Sequence, residues 1–159
     1  MDRLYTAEAS AYGQRTGAVI TSDDRLDLQL SRPKDMGGDD GPGTNPEQLF
    51  AAGYAACFHS AMRLAVKDVG LTPQHLEGSH VTARVHFLKG GRAEFGLAAE
   101  LELTAPLIED DEKARELMER THHVCPYSKA TAGNIDVQLI VAKHPHGEGQ
   151  GVTSAPENR

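Results

Sequence analysis

Tryptophan is absent from this chain, and phenylalanine and tyrosine together make up only 5% of its 159 residues. A core must therefore be filled mainly by Leu, Val, Ile and Ala, and the length suits one compact domain better than two. Positive charge is also short: 16 Lys and Arg stand against 23 Asp and Glu, for a formal net charge of -7. Such a surface repels phosphate backbones and anionic headgroups, so neither nucleic acid nor a membrane is an expected partner. No apolar run approaches the roughly 20 residues needed to cross a bilayer. Met1–Thr6 shows no basic segment followed by an apolar stretch, as a secretory signal would. These absences predict a cytoplasmic protein, in a compartment where thiols are kept reduced. Cysteine is scarce too, with Cys57 and Cys125 the only two. In that setting they read as buried small hydrophobes or as redox-active groups, and a purely structural disulfide is the least expected.

What is present is ordered by alternation and by turn chemistry. Leu4–Ala11 has a strand pattern, Tyr12–Gly17 is a turn bracketed by Gly13 and Gly17, and Ala18–Thr21 and Leu26–Leu30 are extended again. Arg32–Thr44, rich in Gly, Pro and Asp, is a loop. Asn45-Pro46-Glu47-Gln48 then announces a helix, with Asn at the cap and Pro at the first helical position. This helix is expected to run to Val69, before Gly70. Its stretch Ala51–Cys57 is small on nearly every face, which suits a helix packed on all sides at the centre of the fold. His80–Leu88 and Leu97–Ala105 form a hairpin through Gly90-Gly91. Asp110–Val124 is an amphipathic helix with Ala114, Leu117, Met118 and Thr121 on its apolar stripe. Pro126 argues against continuing it past Cys125, and Ile135–Ala142 is a last strand. Residues 143–159 are Gly-, Pro- and polar-rich and read as a disordered tail. Strands and helices are grouped rather than alternating, so the class is α+β.

Spacing alone leaves the chemistry open. Cys57 lies ten residues beyond Glu47, which on a straight helix is about 15 Å along the axis and about 80° around it. Glu47 therefore does not touch Cys57 on a straight helix, and the helix dipole has faded by that point. If Cys57 is a nucleophile, a cation from elsewhere must stabilise its thiolate. His59 faces away from it. A buried, inert cysteine is an equally good reading of these positions. His122, His123 and Cys125 lack the usual spacing of zinc ligands, and solvated helix histidines are the better reading. His144 and His146 belong to the tail. Gly37-Gly38 and Gly90-Gly91 match no phosphate-binding pattern.

A resemblance adds to this. Asn45-Pro46-Glu47-Gln48-Leu49-Phe50-Ala51-Ala52-Gly53-Tyr54-Ala55-Ala56-Cys57-Phe58 closely resembles the cysteine helix of the organic hydroperoxide resistance (Ohr) family, within the OsmC/Ohr superfamily. Val124-Cys125-Pro126-Tyr127-Ser128, then Ala130-Thr131 and Gly133-Asn134-Ile135-Asp136-Val137, resembles that family's second cysteine segment. The order of elements fits from about Leu4 to Ala142, making residues 1–142 the peroxidase domain. The resemblance implies an OsmC-like fold in which antiparallel sheets wrap central cysteine-bearing helices in an intertwined homodimer. It implies that Cys57 is the peroxidatic cysteine and Cys125 the resolving one, and that Arg15 and Glu47 form the ion pair that activates Cys57. It further implies alkyl and fatty-acid hydroperoxides as substrates, and a dihydrolipoyl group on a lipoylated protein as reductant, with no bound cofactor or metal. Phe50, Tyr127 and Met36 are candidates for the apolar lining that an alkyl tail needs. The competing expectation is an OsmC-like module that binds an apolar ligand while its cysteines stay inert; a zinc-dependent hydrolase is the weakest of the three.

Overall fold

Where a strand begins and ends is decided by its partner. In a computed structural model, which describes residues 1–92 and 94–142, β1 (Ala9–Tyr12), β2 (Ala18–Thr21) and β3 (Asp27–Gln29) form an antiparallel sheet in that order. β1 starts at Ala9, later than the expected Leu4, because Ala9 already pairs with Thr21, the last residue of β2. The expected tail, with His144 and His146, lies outside the described residues.

The loop that follows contains a single 3-10 turn at Lys34–Met36 and leads to α1 (Pro46–Ala65). Asn45 caps this helix by accepting the Gln48 N–H at 2.8 Å, as the sequence predicted. α1 ends four residues before the expected Val69; the chain turns through Val66–Gly70, and Gly70 has φ +74.

β4 (His80–Lys89) and β5 (Phe95–Thr104) form the expected hairpin. β6 (Asp136–Val141) then lies on the other side of β5 and runs parallel to it. The strand pairings are antiparallel as expected, with this one parallel exception. The reason is the connection: α2 (Asp111–Val124) and α3 (Pro126–Thr131) carry the chain back to the starting end of the sheet, and a helical crossover returns a strand in parallel. α2 is capped by Asp110, whose carboxylate accepts from the N–H groups of Glu112 and Lys113. Ala114, Leu117, Met118 and Thr121 are buried on one stripe, as their spacing predicted.

α3 was not foreseen. Pro126 forces the preceding Cys125 to extended backbone (ψ 126) and stops α2. The same proline has the fixed φ of a first helical residue, so it opens a new helix. Cys125 thus ends one helix and caps the next.

The core lies between α1, α2 and the β4–β6 sheet, with Phe58, Met62, Leu101, Leu103, Leu117 and Met118 fully buried. α1 is not covered all round in the single chain. Tyr54, Phe58, Ala61, Met62 and Ala65 are buried, whereas Ala52, Ala56, Ser60 and Leu64 face outward. The strands β1–β3 bury no residue at all.

Candidate active site

The two cysteines, 68 positions apart in sequence, meet: Cys125 Sγ lies 3.6 Å from Cys57 Sγ, and both thiols are free. α1 presents Cys57 at its middle, half-buried, and the α2–α3 junction presents Cys125, fully buried. Cys57 is thus the partly exposed cysteine of the two. Burial pushes the Cys57 thiol above its ordinary range, and the nearby Cys125 adds to this because two adjacent thiolates repel. The Tyr127 N–H, donating to the Cys57 sulfur, pulls the other way.

Arg15 is held in a one-turn 3-10 helix, Gln14–Thr16, at the tip between β1 and β2. Gly17 is required there, since a Cβ at that position would lie 1.8 Å from the Tyr12 carbonyl oxygen. The guanidinium makes a two-pronged pair with Glu47, Nη2 to Oε1 at 2.7 Å and Nη1 to Oε2 at 2.9 Å. The hydrogen bond from Arg15 holds the Glu47 carboxyl below the usual carboxylate range, against an opposing effect of burial. Arg15 also sits over the Phe87 ring, 5.4 Å from its centroid, and its Nη1 is 4.0 Å from Met36 Sδ. Among the described residues no hydrogen bond or ion pair joins Arg15 or Glu47 to either sulfur within this chain. The candidate residues therefore fall into two groups. Cys57, Cys125 and Tyr127 form one, and Arg15, Glu47 and Met36 form the other, at the start of α1.

Beside Arg15 opens a trough of about 1040 Å³ whose apolar walls are Met36, Val85, Phe87 and Phe95. Met36, Val85 and Phe87 continue into a smaller hollow that reaches Glu47. Phe50 and Tyr127 lie elsewhere, in a ring cluster with Tyr54: Phe50 and Tyr127 have centroids 6.1 Å apart, and Tyr54 and Tyr127 5.9 Å. Phe87 and Val85 were missed in the sequence. The available signal was the alternation of Val81, Ala83, Val85 and Phe87, which puts all four on the inner face of β4. His59, set aside above, hydrogen-bonds Ser79 Oγ at 2.9 Å. His122, expected to be solvated, is half-buried, and its Nδ1 has no partner. No three His, Cys, Asp or Glu side chains converge among the described residues, and no described helix is long and apolar enough to cross a membrane.

Comparison with known proteins places this geometry in a family. Residues 37–140 match the family model described as OsmC-like protein. The chain is 46% identical over 140 residues to the organic hydroperoxide resistance protein of Xanthomonas axonopodis pv. citri (strain 306), covering 87% of this chain and 95% of that one. It is 43% identical over 142 residues to the organic hydroperoxide resistance protein OhrA of Bacillus subtilis (strain 168), covering 88% and 97%. Among solved structures, an organic hydroperoxide resistance protein OsmC from Legionella pneumophila superposes with a TM-score of 0.80 at 41% identity, covering 89% of this chain and all of that one. OhrB of Bacillus subtilis does so with a TM-score of 0.76 at 38% identity, covering 88% and 100%.

Proposed function

Because the chain belongs to the OsmC-like family, among its organic hydroperoxide resistance members, we propose that it defends against organic peroxides as a two-cysteine thiol peroxidase. The observation that carries this reading is the 3.6 Å approach of the two sulfurs. A disulfide needs them at about 2.05 Å, so a small shift of one side chain closes the bond.

In the reaction we assign, the Cys57 thiolate attacks the outer oxygen of ROOH. The S–O bond forms as the O–O bond breaks, and the departing alkoxide takes a proton to become an alcohol. The Cys125 sulfur then displaces the sulfenic oxygen as water, leaving a Cys57–Cys125 disulfide. An external dithiol, by family resemblance a dihydrolipoyl group on a lipoylated protein in the cytoplasm, returns both sulfurs to thiols. The peroxide is the oxidant and the dithiol the reductant, so the reaction needs no bound cofactor.

Activation of Cys57 calls for a cation, and the Arg15–Glu47 pair supplies one at a distance. The pair sits about 15 Å of helix axis away from Cys57 in its own chain. Two copies whose α1 helices cross antiparallel near the exposed Ala52 would set position 47 of one opposite position 57 of the other. The Arg15–Glu47 pair of one subunit then serves Cys57 of the partner subunit. The uncovered face of α1 supports such a homodimer, as do the unburied strands β1–β3 and the exposed Leu4, Tyr5 and Tyr12. The apolar wall of the trough beside Arg15, made by Met36, Val85, Phe87 and Phe95, suits the tail of an alkyl or fatty-acid hydroperoxide, while Arg15, Arg32, Asp35, His86 and Lys89 line the rest.

Stopped-flow reduction of an alkyl hydroperoxide beside hydrogen peroxide, with dihydrolipoamide supplied, tests the proposal. We expect turnover that favours the alkyl substrate and, without reductant, loss of both thiols per hydroperoxide consumed. Thiols that titrate unchanged after alkyl hydroperoxide would leave the apolar-ligand module as the better reading.

A further inference from the structure

The interior holds a cluster of buried hydroxyls that the reaction above does not use. Tyr54 is fully buried on α1, and Ser128 and Thr131 on α3 are 1% and 5% exposed. Tyr54 Oη lies 3.0 Å from Ser128 Oγ and 3.4 Å from Thr131 Oγ1. Thr131 Oγ1 in turn donates to the carbonyl oxygens of Tyr127 and Ser128, at 3.0 and 3.1 Å.

Each hydroxyl has one proton, and that fixes the direction of the chain. Thr131 spends its proton on the backbone, so toward Tyr54 it can only accept. Tyr54 then donates to Thr131 and accepts from Ser128. The relay runs from Ser128 through Tyr54 and Thr131 to the carbonyl of Tyr127, the residue whose own N–H donates to the Cys57 sulfur. A buried hydroxyl chain satisfied in this way specifies one arrangement, because any pivot of α3 leaves a donor or acceptor unpaired. Besides this chain α3 is braced by the Tyr127 ring against Gly53 of α1, but the helix itself is weakly anchored. It has only six residues, starts at the extended Cys125, and has no side-chain cap.

We propose that Tyr54, through Ser128 and Thr131, is the positioning residue that holds Cys125 in line with Cys57 for disulfide closure. This rests on the two-cysteine reading above and adds a residue that touches neither sulfur as a reacting group. The step it governs is the second one: Cys125 attacks the Cys57 sulfenic acid, an S–S bond forms, the S–O bond breaks, and hydroxide leaves with the thiol proton as water.

The test uses the full chain with Tyr54→Phe, which keeps the ring and its contacts with Phe50, Phe58 and Tyr127 and removes only the hydroxyl. In a single turnover with cumene hydroperoxide and no reductant, peroxide loss reports the first step and loss of the second thiol reports closure. We expect closure to slow about tenfold or more, as misplacement of reacting groups by a fraction of an ångström does. Sulfinic acid should build up under excess peroxide. Ser128→Ala should act likewise, whereas Thr131→Ser, which keeps a hydroxyl, should close at the wild-type rate. Closure is also measured with oxidised glutathione, by the rate at which the mixed disulfide at Cys57 resolves, so the answer does not depend on peroxide chemistry. If wild-type protein ignores the peroxide but closes with glutathione, the peroxidase reading fails and the positioning role is still decided. Closure by Tyr54→Phe and Ser128→Ala at the wild-type rate in the glutathione assay overturns the role.

Discussion

A β-carbon on Gly53 would lie 3.0 Å from the Tyr127 hydroxyl oxygen and 3.2 Å from its ring. α3 therefore leans its aromatic ring directly on the α1 backbone, one turn before Cys57. Gly53→Ala gains about 1 kcal/mol of helix propensity but must push the ring outward by a few tenths of an ångström. Tyr127 is 39% exposed and can yield. The melting temperature should stay level or rise, while formation of the Cys57–Cys125 disulfide slows. Thermal melts and thiol loss after oxidant measure the two effects separately.

The two cysteines should behave unequally. Cys57→Ser should abolish peroxide consumption. Cys125→Ser should consume one equivalent of hydroperoxide and then pass irreversibly to sulfinic acid under excess peroxide. Intact-mass measurement after graded peroxide reads this directly, and a Cys125→Ser protein as resistant to excess peroxide as the wild type would remove Cys125 from the resolving role.

Arg15→Ala should shift the pH profile of Cys57. Burial raises this thiol and a cation must lower it again, so without the guanidinium the thiol stays mostly protonated at neutral pH. The peroxide rate at pH 7 should drop by about 10- to 100-fold and recover as pH rises, since the thiolate is the reacting form. A pH–rate series on both proteins shows whether the loss is of ionisation or of fold. Mixing Arg15→Ala with Cys57→Ser chains should restore up to a quarter to a half of the sites if the pair acts across a dimer.

The Arg15–Glu47 pair should also show in acid stability. The folded Glu47 pKa is depressed by Arg15, so its contribution is present above the ordinary carboxylate range and is lost as pH falls through the depressed value. Glu47→Gln should cost about 1–2 kcal/mol at pH 7, and that difference should shrink towards zero near pH 2. Denaturant midpoints of both proteins at the two pH values check the sign.

Substrate preference should respond to the trough. Met36→Ala opens its wall beside Arg15 without removing a charge. KM for an alkyl hydroperoxide should rise about tenfold, the weight of a few methylene contacts, with little change in the slow rate on hydrogen peroxide. Steady-state kinetics on the two substrates separates this from general damage.

Local chemistry wrote much of the fold into the sequence. Asn45 and Pro46 mark the start of α1, Asp110 that of α2, and the alternation through β4 and β5 marks both strands, because caps and side-chain period act over a few residues. The family resemblance of the segments around Cys57 and Cys125 is likewise a property of short runs. Three things were decided only in three dimensions. β6 is parallel because α2 and α3 carry the chain across the sheet before it forms. Pro126 could be read as a stop, yet it also opens α3, whose place is fixed by Ser128 and Thr131 meeting Tyr54 of α1. Sulfurs 68 positions apart meet, as do Arg15 and Glu47 at 32 positions, and the Tyr54 hydroxyl finds Ser128 at 74. Such contacts depend on where the helices and sheets settle against one another, and no local pattern encodes that settling.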